Sequence, residues 1–384
     1  GATAGTPDGP GTANGPGMAD GPGIADGPGT AKGPGIAEPA APLFDRIRRA
    51  CATVAERATV VTIDEHAIDG LAASLAPDDP PLLPEERPDG DDEAMATEVV
   101  VWNAVNFGSG WFPVLRKRAG LSGARSLAEA LADHVARTGP PTAAWLAQAD
   151  AATCAAVFGQ PHPGPVDDLL DLFAQAWRDL GVLLAERFDG SAAEMVRAAG
   201  GSAEGLVAIL DAMPLMHDVS SYGEVEVPLY KRAQITVSHL ARVFDGGGLG
   251  RFDDVGRLTA FADNLVPHVL RMAGALVYDG ELAGRIGREE PLDPGSPEEV
   301  EIRACGVHAV ELLAGRTGLA PATVDHQPWQ RGQDPAIKSV TRHRFGFPAT
   351  IRTYPSFSPT GALDKIYFRG PLRLIGARSC RLGL

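Results

Sequence analysis

A lysine and an aspartate are the residues of this sequence most suited to chemistry. Lys231 lies in the segment YKRAQ (residues 230–234), and Asp263 ends the segment FAD, directly before the run that leads to Pro267. The chain takes its positive charge mainly from arginine, so a lysine beside Arg232 in an apolar stretch stands out. An amine binds an anion, and a carboxylate stabilises positive charge on a sugar. The pair therefore indicates chemistry at a ribosyl carbon.

Further motifs surround these two residues in a fixed order. They are VNFGSGWFP (residues 105–113), RFDDVGRLTAFAD (251–263), VPHVLRMAGALVYDGEL (266–282) and EVEIRACGVHAVELL (299–313). Together with YKRAQ they resemble the queuosine salvage family, the queuosine 5'-phosphate N-glycosylases, and several ordered motifs are far more specific than one. The resemblance implies an N-ribohydrolase that cleaves the N-glycosidic bond of queuosine 5'-monophosphate and releases queuine for salvage into tRNA.

The resemblance also implies catalytic roles for both residues. Asp263 matches the family's essential aspartate, which would stabilise an oxocarbenium-like sugar and orient a water molecule. Lys231 matches the family's lysine and would bind the 5'-phosphate or pair with Asp263; a Schiff base is not required for simple hydrolysis. Taken alone, each residue also has an ordinary interpretation, a helix-end cap for the aspartate and a surface lysine for Lys231.

A second group of residues matches the family at positions that would bind the base. Phe261 matches an aromatic residue that would stack on the deazapurine, and ordinary core packing is its alternative. Asp325 would accept hydrogen bonds from the guanine-like edge of the base. The other matching residues are Trp329, Asn106 and Phe107.

The sequence departs from the family pattern near Asp325. His326 and Gln330 stand where the family has a tyrosine and a second acid, and no histidine lies between His66 and His134. We therefore expect different recognition of the cyclopentene-diol arm of queuine. Two alternatives stay open: a hydrolase of another deazapurine nucleotide, and a non-catalytic module that binds a nucleobase or modified tRNA.

Composition restricts the class of ligand. The net charge of −15 and the pI of about 5.0 argue against direct binding of nucleic acid, so the expected partner is a small nucleotide. Four cysteines without CxxC spacing indicate reduced thiols in a cytoplasmic protein, with no disulfide framework and no zinc site. The reaction that the resemblance implies needs no metal ion and no organic cofactor. No apolar run is long enough to predict a membrane span. The pair His217-Asp218 lacks the partners of a metal-dependent phosphohydrolase and is interpreted as a chance match.

The chain divides into three parts by composition. Residues 1–41 repeat a Gly/Pro/Ala hexamer and are predicted to be disordered. Residues 42–344 would form the catalytic domain, and residues 345–384 are an atypical tail to which we assign no role. We expect a mainly α fold, a single helical domain with small β additions, and the resemblance implies similarity to the helix-hairpin-helix DNA glycosylases.

Periodicity and caps predict several individual elements. Apolar residues three and four apart predict a helix over residues 169–184, and residues 255–262 are interpreted as another helix. Ser296 and Glu299 form a capping-box pattern that starts a helix to about residue 313. Glu299, Glu301 and Arg303 could look catalytic, but their helical placement favours this capping box and an internal salt bridge. Pro267 predicts a break at Val266. Residues 222–227 predict a hairpin, and residues 59–63 a weaker strand.

Overall fold

The structure, a computed structural model, is mainly helical with a few short strands, as the sequence predicts. It describes residues 41–75, 91–262, 265–288, 290 and 292–331; the side chains of residues 326 and 328–331 lie outside this description. Asp263 lies outside the described residues too, as do residues 1–40 of the predicted tail 1–41 and the whole predicted tail 345–384.

The helices of the described residues are, in chain order, α1 (Leu43–Arg57), α2 (Glu65–Ser74), α3 (Asp92–Ala104), α4 (Gly123–Thr138), α5 (Ala143–Leu146), α6 (Ala151–Phe158), α7 (Asp167–Arg187), α8 (Ala192–Ala198), α9 (Ala203–Leu210), α10 (Lys231–Val243), α11 (Leu265–Met272), α12 (Gly280–Gly287), α13 (Pro297–Thr317) and α14 (Pro321–Arg331). The strands are β1 (Val61–Ile63), β2 (Val219–Tyr222), β3 (Val225–Pro228) and β4 (Leu276–Tyr278). Short 3-10 turns occupy Ser109–Trp111, Gly248–Gly250 and Val255–Arg257. None of the helices in these ranges is both long and apolar enough to cross a membrane.

Helix α7 confirms the predicted amphipathic pattern. Its apolar residues at three- and four-residue spacing are buried, and Trp177 stacks on Phe158 with ring centroids 5.3 Å apart. The helix ends at Arg187, and Gly190, with φ of 79°, donates its N–H to Leu184 O at 3.0 Å. A glycine adopts this left-handed conformation without steric cost, which explains the stop signal.

Helix α13 packs against α1, α2, α11 and α14, and most of its residues are buried. Ser296 starts it as predicted, because its hydroxyl accepts the Glu299 N–H at 3.3 Å. The predicted end near residue 313 is wrong. The helix continues to Thr317, and Gly318, with φ of 73°, ends it, while Gly315 lies inside it.

Both predicted β segments are confirmed as antiparallel pairs. In the hairpin of β2 and β3, Tyr222 pairs with Val225 across a turn that contains Gly223 at φ of 57°. In the other pair, β1 lies against β4, with Val61 opposite Tyr278. Because Pro228 ends β3 just before α10, the hairpin sets the direction in which the chain enters the helix that begins with Lys231.

The predicted helix over residues 255–262 is wrong. A single 3-10 turn covers Val255–Arg257, and residues 258–262 have no regular secondary structure although all five are buried. The predicted break at Val266 is also wrong, since Val266 is helical: α11 begins at Leu265 and contains Pro267 in its first turn. Proline is tolerated there because the first N–H groups of a helix have no intrahelical partner.

Candidate active site

Asp218 fixes the start of α10. It lies immediately before β2, and its backbone carbonyl accepts the N–H groups of Leu229 at 2.9 Å and Tyr230 at 3.2 Å. Lys231 is the first residue of α10, and the carboxylate Oδ2 of Asp218 accepts its backbone N–H at 3.1 Å. Tyr230 occupies the N-cap position in a left-handed conformation, with φ of 47°, and makes no side-chain cap. Asp218, which is distant in sequence, therefore accepts a backbone N–H at the start of α10, a role that normally belongs to the side chain of the N-cap residue.

Residues 259–262 are held by side chains from three helices. Gln234 of α10 accepts the Thr259 N–H at 3.0 Å and donates to Thr259 Oγ1 at 3.0 Å. Asp325 of α14 accepts the Phe261 N–H at 3.2 Å, and Arg303 of α13 donates from Nε to the Ala262 carbonyl at 3.1 Å. These bonds replace the ladder that a helix would have formed, which explains why the backbone here is irregular.

Arg303 joins the two regions. Its Nη2 lies 2.7 Å from Asp218 Oδ2 and 3.0 Å from Oδ1, and its Nη1 lies 3.3 Å from Glu299 Oε1. The predicted internal salt bridge is thus confirmed between Glu299 and Arg303, and Asp218 is a second partner of Arg303 at shorter distance. Burial acts to raise the pKa of Asp218, but the guanidinium and its hydrogen bonds outweigh burial and lower that pKa. The buried pair is therefore charged in the folded protein.

The segment that contains Asn106 and Phe107 also contacts α10. Arg232 stacks over the Phe107 ring, with its guanidinium carbon 4.6 Å from the ring centre, and donates to the Ala104 carbonyl at 3.0 Å. Burial lowers the pKa of Arg232 to about 10, so it stays charged at neutral pH. Asn106 is buried and donates to Asn103 Oδ1 at 3.3 Å. The NF segment, the start of α10 and residues 259–262 therefore belong to one connected region.

The structure thus brings together most of the residues that the sequence singled out. Lys231 is half-buried at the first position of α10, and Phe261 and Asp325 are buried and joined by a hydrogen bond. Asp263 directly follows Ala262, the residue whose carbonyl Arg303 holds. Trp329, His326 and Gln330 lie on α14, but their side chains are outside the description.

Sequence reasoning missed the connecting residues Asp218, Gln234 and Arg232. His217 and Asp218 have different partners, since His217 Nδ1 lies 2.7 Å from Asp211 Oδ1 while Asp218 binds Arg303. Gln234 lies inside the YKRAQ motif, and a glutamine on the buried side of a helix was the available signal, because a buried amide needs hydrogen-bond partners.

The potential metal-binding side chains and the cysteines are the remaining reactive groups of the described residues. No cluster of three or more potential metal-binding side chains occurs in the part of the chain that the structure describes. Cys51, Cys154 and Cys305 are buried free thiols, and burial raises the pKa of Cys305 to about 12. A thiol with such a pKa is a poor nucleophile at neutral pH, since the thiolate is the reactive form.

Comparison with known proteins shows the family of this chain. Residues 87–333 match the family described as queuosine salvage protein, and the chain belongs to that family. It is 39% identical over 304 residues to the queuosine 5'-phosphate N-glycosylase/hydrolase of Sphaerobacter thermophilus, a match that covers 76% of this chain and 93% of the relative.

Eukaryotic proteins with the same name match a shorter part. The Dictyostelium discoideum protein is 36% identical over 173 residues, which are 44% of this chain and 54% of the relative. The Mus musculus protein is 37% identical over 139 residues, or 36% of this chain and 41% of the relative.

Proposed function

We propose that this protein hydrolyses the N-glycosidic bond of queuosine 5'-monophosphate to queuine and ribose 5-phosphate. Water supplies the hydroxyl group to the anomeric carbon and a proton to the departing base. Family membership and the name of its relatives support this reaction. The structural observation that carries the proposal is the buried connection from Lys231 through Asp218 and Arg303 to Ala262, beside Asp263.

In this reaction Asp263 would stabilise the positive charge that develops on the ribose and would orient the attacking water. Lys231 would bind the 5'-phosphate or pair with Asp263. Its place at the first residue of α10 favours the first role, because the amino end of a helix carries partial positive charge that adds to the ammonium group. The reaction needs no metal ion and no organic cofactor.

For the base, we propose that Phe107 supplies the stacking surface. Its ring is partly exposed and is backed by the Arg232 guanidinium, whereas the Phe261 side chain is buried in the core. Asp325 would accept hydrogen bonds from the base edge, and a carboxylate can accept several, so its bond to the Phe261 N–H is compatible with this role. The remaining contacts would come from Asn106, Trp329, His326 and Gln330.

A second candidate function is hydrolysis of another deazapurine nucleotide. It is favoured by His326 and Gln330, which replace residue types that the family uses at these positions. Both changes lie on α14, the helix that also carries Asp325, so they would alter recognition of the base rather than the cleavage itself.

The test is incubation of the purified protein with queuosine 5'-monophosphate and measurement of queuine by chromatography. We expect release by the wild type and a fall of about 100-fold or more in Asp263→Asn, the order of loss when an electrostatic stabiliser is removed. Lys231→Met should lose activity mainly through binding if the lysine holds the phosphate. Matched controls are Asp253→Asn and Lys117→Met, which change exposed residues and should leave the rate unchanged.

Three results would separate the alternatives. Faster cleavage of 7-deazaguanosine 5'-monophosphate than of the queuosine nucleotide would favour the second candidate. Tight binding of the nucleotide without turnover would favour a non-catalytic binding module. Equal release of queuine by the wild type and Asp263→Asn would refute the proposed role of the aspartate.

A further inference from the structure

Two buried side chains connect the chain segments that carry the proposed catalytic residues. Asp218 receives the Lys231 N–H at 3.1 Å, and Arg303 donates to the Ala262 carbonyl at 3.1 Å, one residue before Asp263. The two side chains are joined to each other at 2.7 Å. We propose that the ion pair of Asp218 and Arg303 positions the start of α10 against the segment that enters Asp263, and so sets the geometry of catalysis; this inference rests on the proposed function.

The chemistry of the pair suits a positioning role. A guanidinium is planar and rigid, so the bond from Nε to Ala262 and the bonds from Nη2 to Asp218 have a fixed relation. Asp218 is fixed in turn, because its carbonyl and its carboxylate accept three consecutive N–H groups, those of residues 229–231. A displacement at one end of this chain of bonds must therefore reach the other end.

Stability alone gives a weak reason for such a pair. Two charges removed from water lose their hydration, and their attraction often does no more than offset that loss. Asp218 and Arg303 are 7% and 5% exposed, so this cost applies in full. A buried ion pair with backbone partners on both sides is better explained by the geometry that it imposes.

The kinetic experiment compares Asp218→Asn, Arg303→Gln and Arg303→Lys with wild type. We expect kcat to fall by about 100-fold, the loss that a displacement of roughly 1 Å can produce, while KM changes by less than about threefold. Arg303→Lys keeps the positive charge beside Asp218, but an ammonium group cannot bind the Asp218 carboxylate and the Ala262 carbonyl with the fixed geometry of a guanidinium. It should therefore recover thermal stability without recovering kcat.

Glu301→Gln is the matched control on the same helix. Glu301 is fully buried, and its carboxylate accepts the N–H groups of residues 59–61 and the Tyr222 hydroxyl. Its substitution should lower the melting temperature as much as Arg303→Gln, because several backbone donors lose a charged acceptor. Because it binds β1 and the turn end of the hairpin, and neither residues 229–231 nor residues 259–262, its kcat should stay near that of wild type.

Hydrogen exchange tests the connection without any substrate. Asp218→Asn should speed amide exchange in residues 259–262, which the aspartate reaches through Arg303, and Arg303→Gln should do the same in residues 229–231. Glu301→Gln should speed exchange in residues 59–61 and leave both of these segments unchanged. This measurement stays informative even if the wild type does not cleave queuosine 5'-monophosphate, the result that would refute the proposed function by itself.

The outcomes are separable. Wild-type turnover with unchanged kcat in Arg303→Gln and Arg303→Lys would overturn the inference and leave the proposed function intact. Exchange changes confined to the neighbours of each substituted residue would also overturn it. If every substitution at the two positions abolished folding while Glu301→Gln folded, the pair would be structural and the positioning role would be refuted.

Discussion

Gln234 offers the sharpest test of how the irregular segment is held. It is fully buried in α10, and its amide accepts the Thr259 N–H at 3.0 Å and donates to Leu229 O at 2.9 Å. Gln234→Met keeps the length of the side chain but removes both the hydrogen-bond acceptor and the donor. A buried polar group that loses its partner costs about 1–3 kcal/mol. With two such groups, partly offset by the apolar methionine, we expect a loss of about 3 kcal/mol in the free energy of unfolding.

The assay is equilibrium unfolding in urea, with the midpoint shifted and the slope unchanged. Thr236→Val is the matched control in the same helix, because Thr236 is buried and its hydroxyl donates only to the Arg232 carbonyl at 2.9 Å within α10. It should cost about 1 kcal/mol. A loss in Gln234→Met no larger than in Thr236→Val would refute the reasoning. Queuine release should also slow in Gln234→Met and not in Thr236→Val, since only the former frees residues 259–262.

Three further predictions concern pH and the base. Burial raises the pKa of Glu98 from 4.5 to about 7. Between these two pH values the folded state binds more protons than the unfolded state, so the free energy of unfolding falls as pH rises. Above pH 7 the free energy of unfolding of Glu98→Gln should therefore exceed that of wild type by up to about 3 kcal/mol, as measured by urea unfolding across pH. Burial acts to raise the pKa of Glu93, but hydrogen bonds from Ser191 and neighbouring amides outweigh it and lower that pKa. Glu93→Gln should be less stable by about 1–2 kcal/mol at pH 7, and the same titration should show the difference disappear as pH falls below the usual range of a glutamate. Phe107→Leu removes the proposed stacking face beside Arg232 and should raise KM about tenfold with little change in kcat, since stacking on a base contributes about 1–3 kcal/mol.

Local patterns predicted the regular elements well. The spacing of apolar residues in α7, the serine that starts α13 and the alternation before YKRAQ each depend on neighbours within one or two turns. The ordered motifs identified the family, and the structure joins Phe261 directly to Asp325. The roles of Asp263 and Lys231 stay predictions, as does the similarity to helix-hairpin-helix glycosylases.

Residues 258–262 show where local reasoning ends. Their sequence satisfies a helical pattern, but the partners of their backbone groups lie far away in the chain. Gln234 is separated by 25 residues from Thr259, Arg303 by 41 residues from Ala262, and Asp325 by 64 residues from Phe261. Propensity has no access to such contacts, because tertiary hydrogen bonds override it. The same holds for Asp218: its partner Arg303 is 85 residues away, so the sequence alone showed only the pair His217-Asp218, which was interpreted as a chance match.

For the proposed role of Asp263, the irregular segment offers a property that a helix would not have. A helix satisfies its own backbone groups, so its neighbours hold it mainly through apolar contacts, which tolerate small sliding. Here the backbone bonds of residues 259, 261 and 262 come from α10, α14 and α13, so directional bonds from three helices locate the chain just before Asp263. A charge that must stabilise a transition state acts best when it needs no reorganisation at the moment of reaction. Buried hydrogen bonds from three separate helices supply that rigidity, and loss of the bond from Gln234 or of the bond from Arg303 should reduce the rate more than it reduces binding.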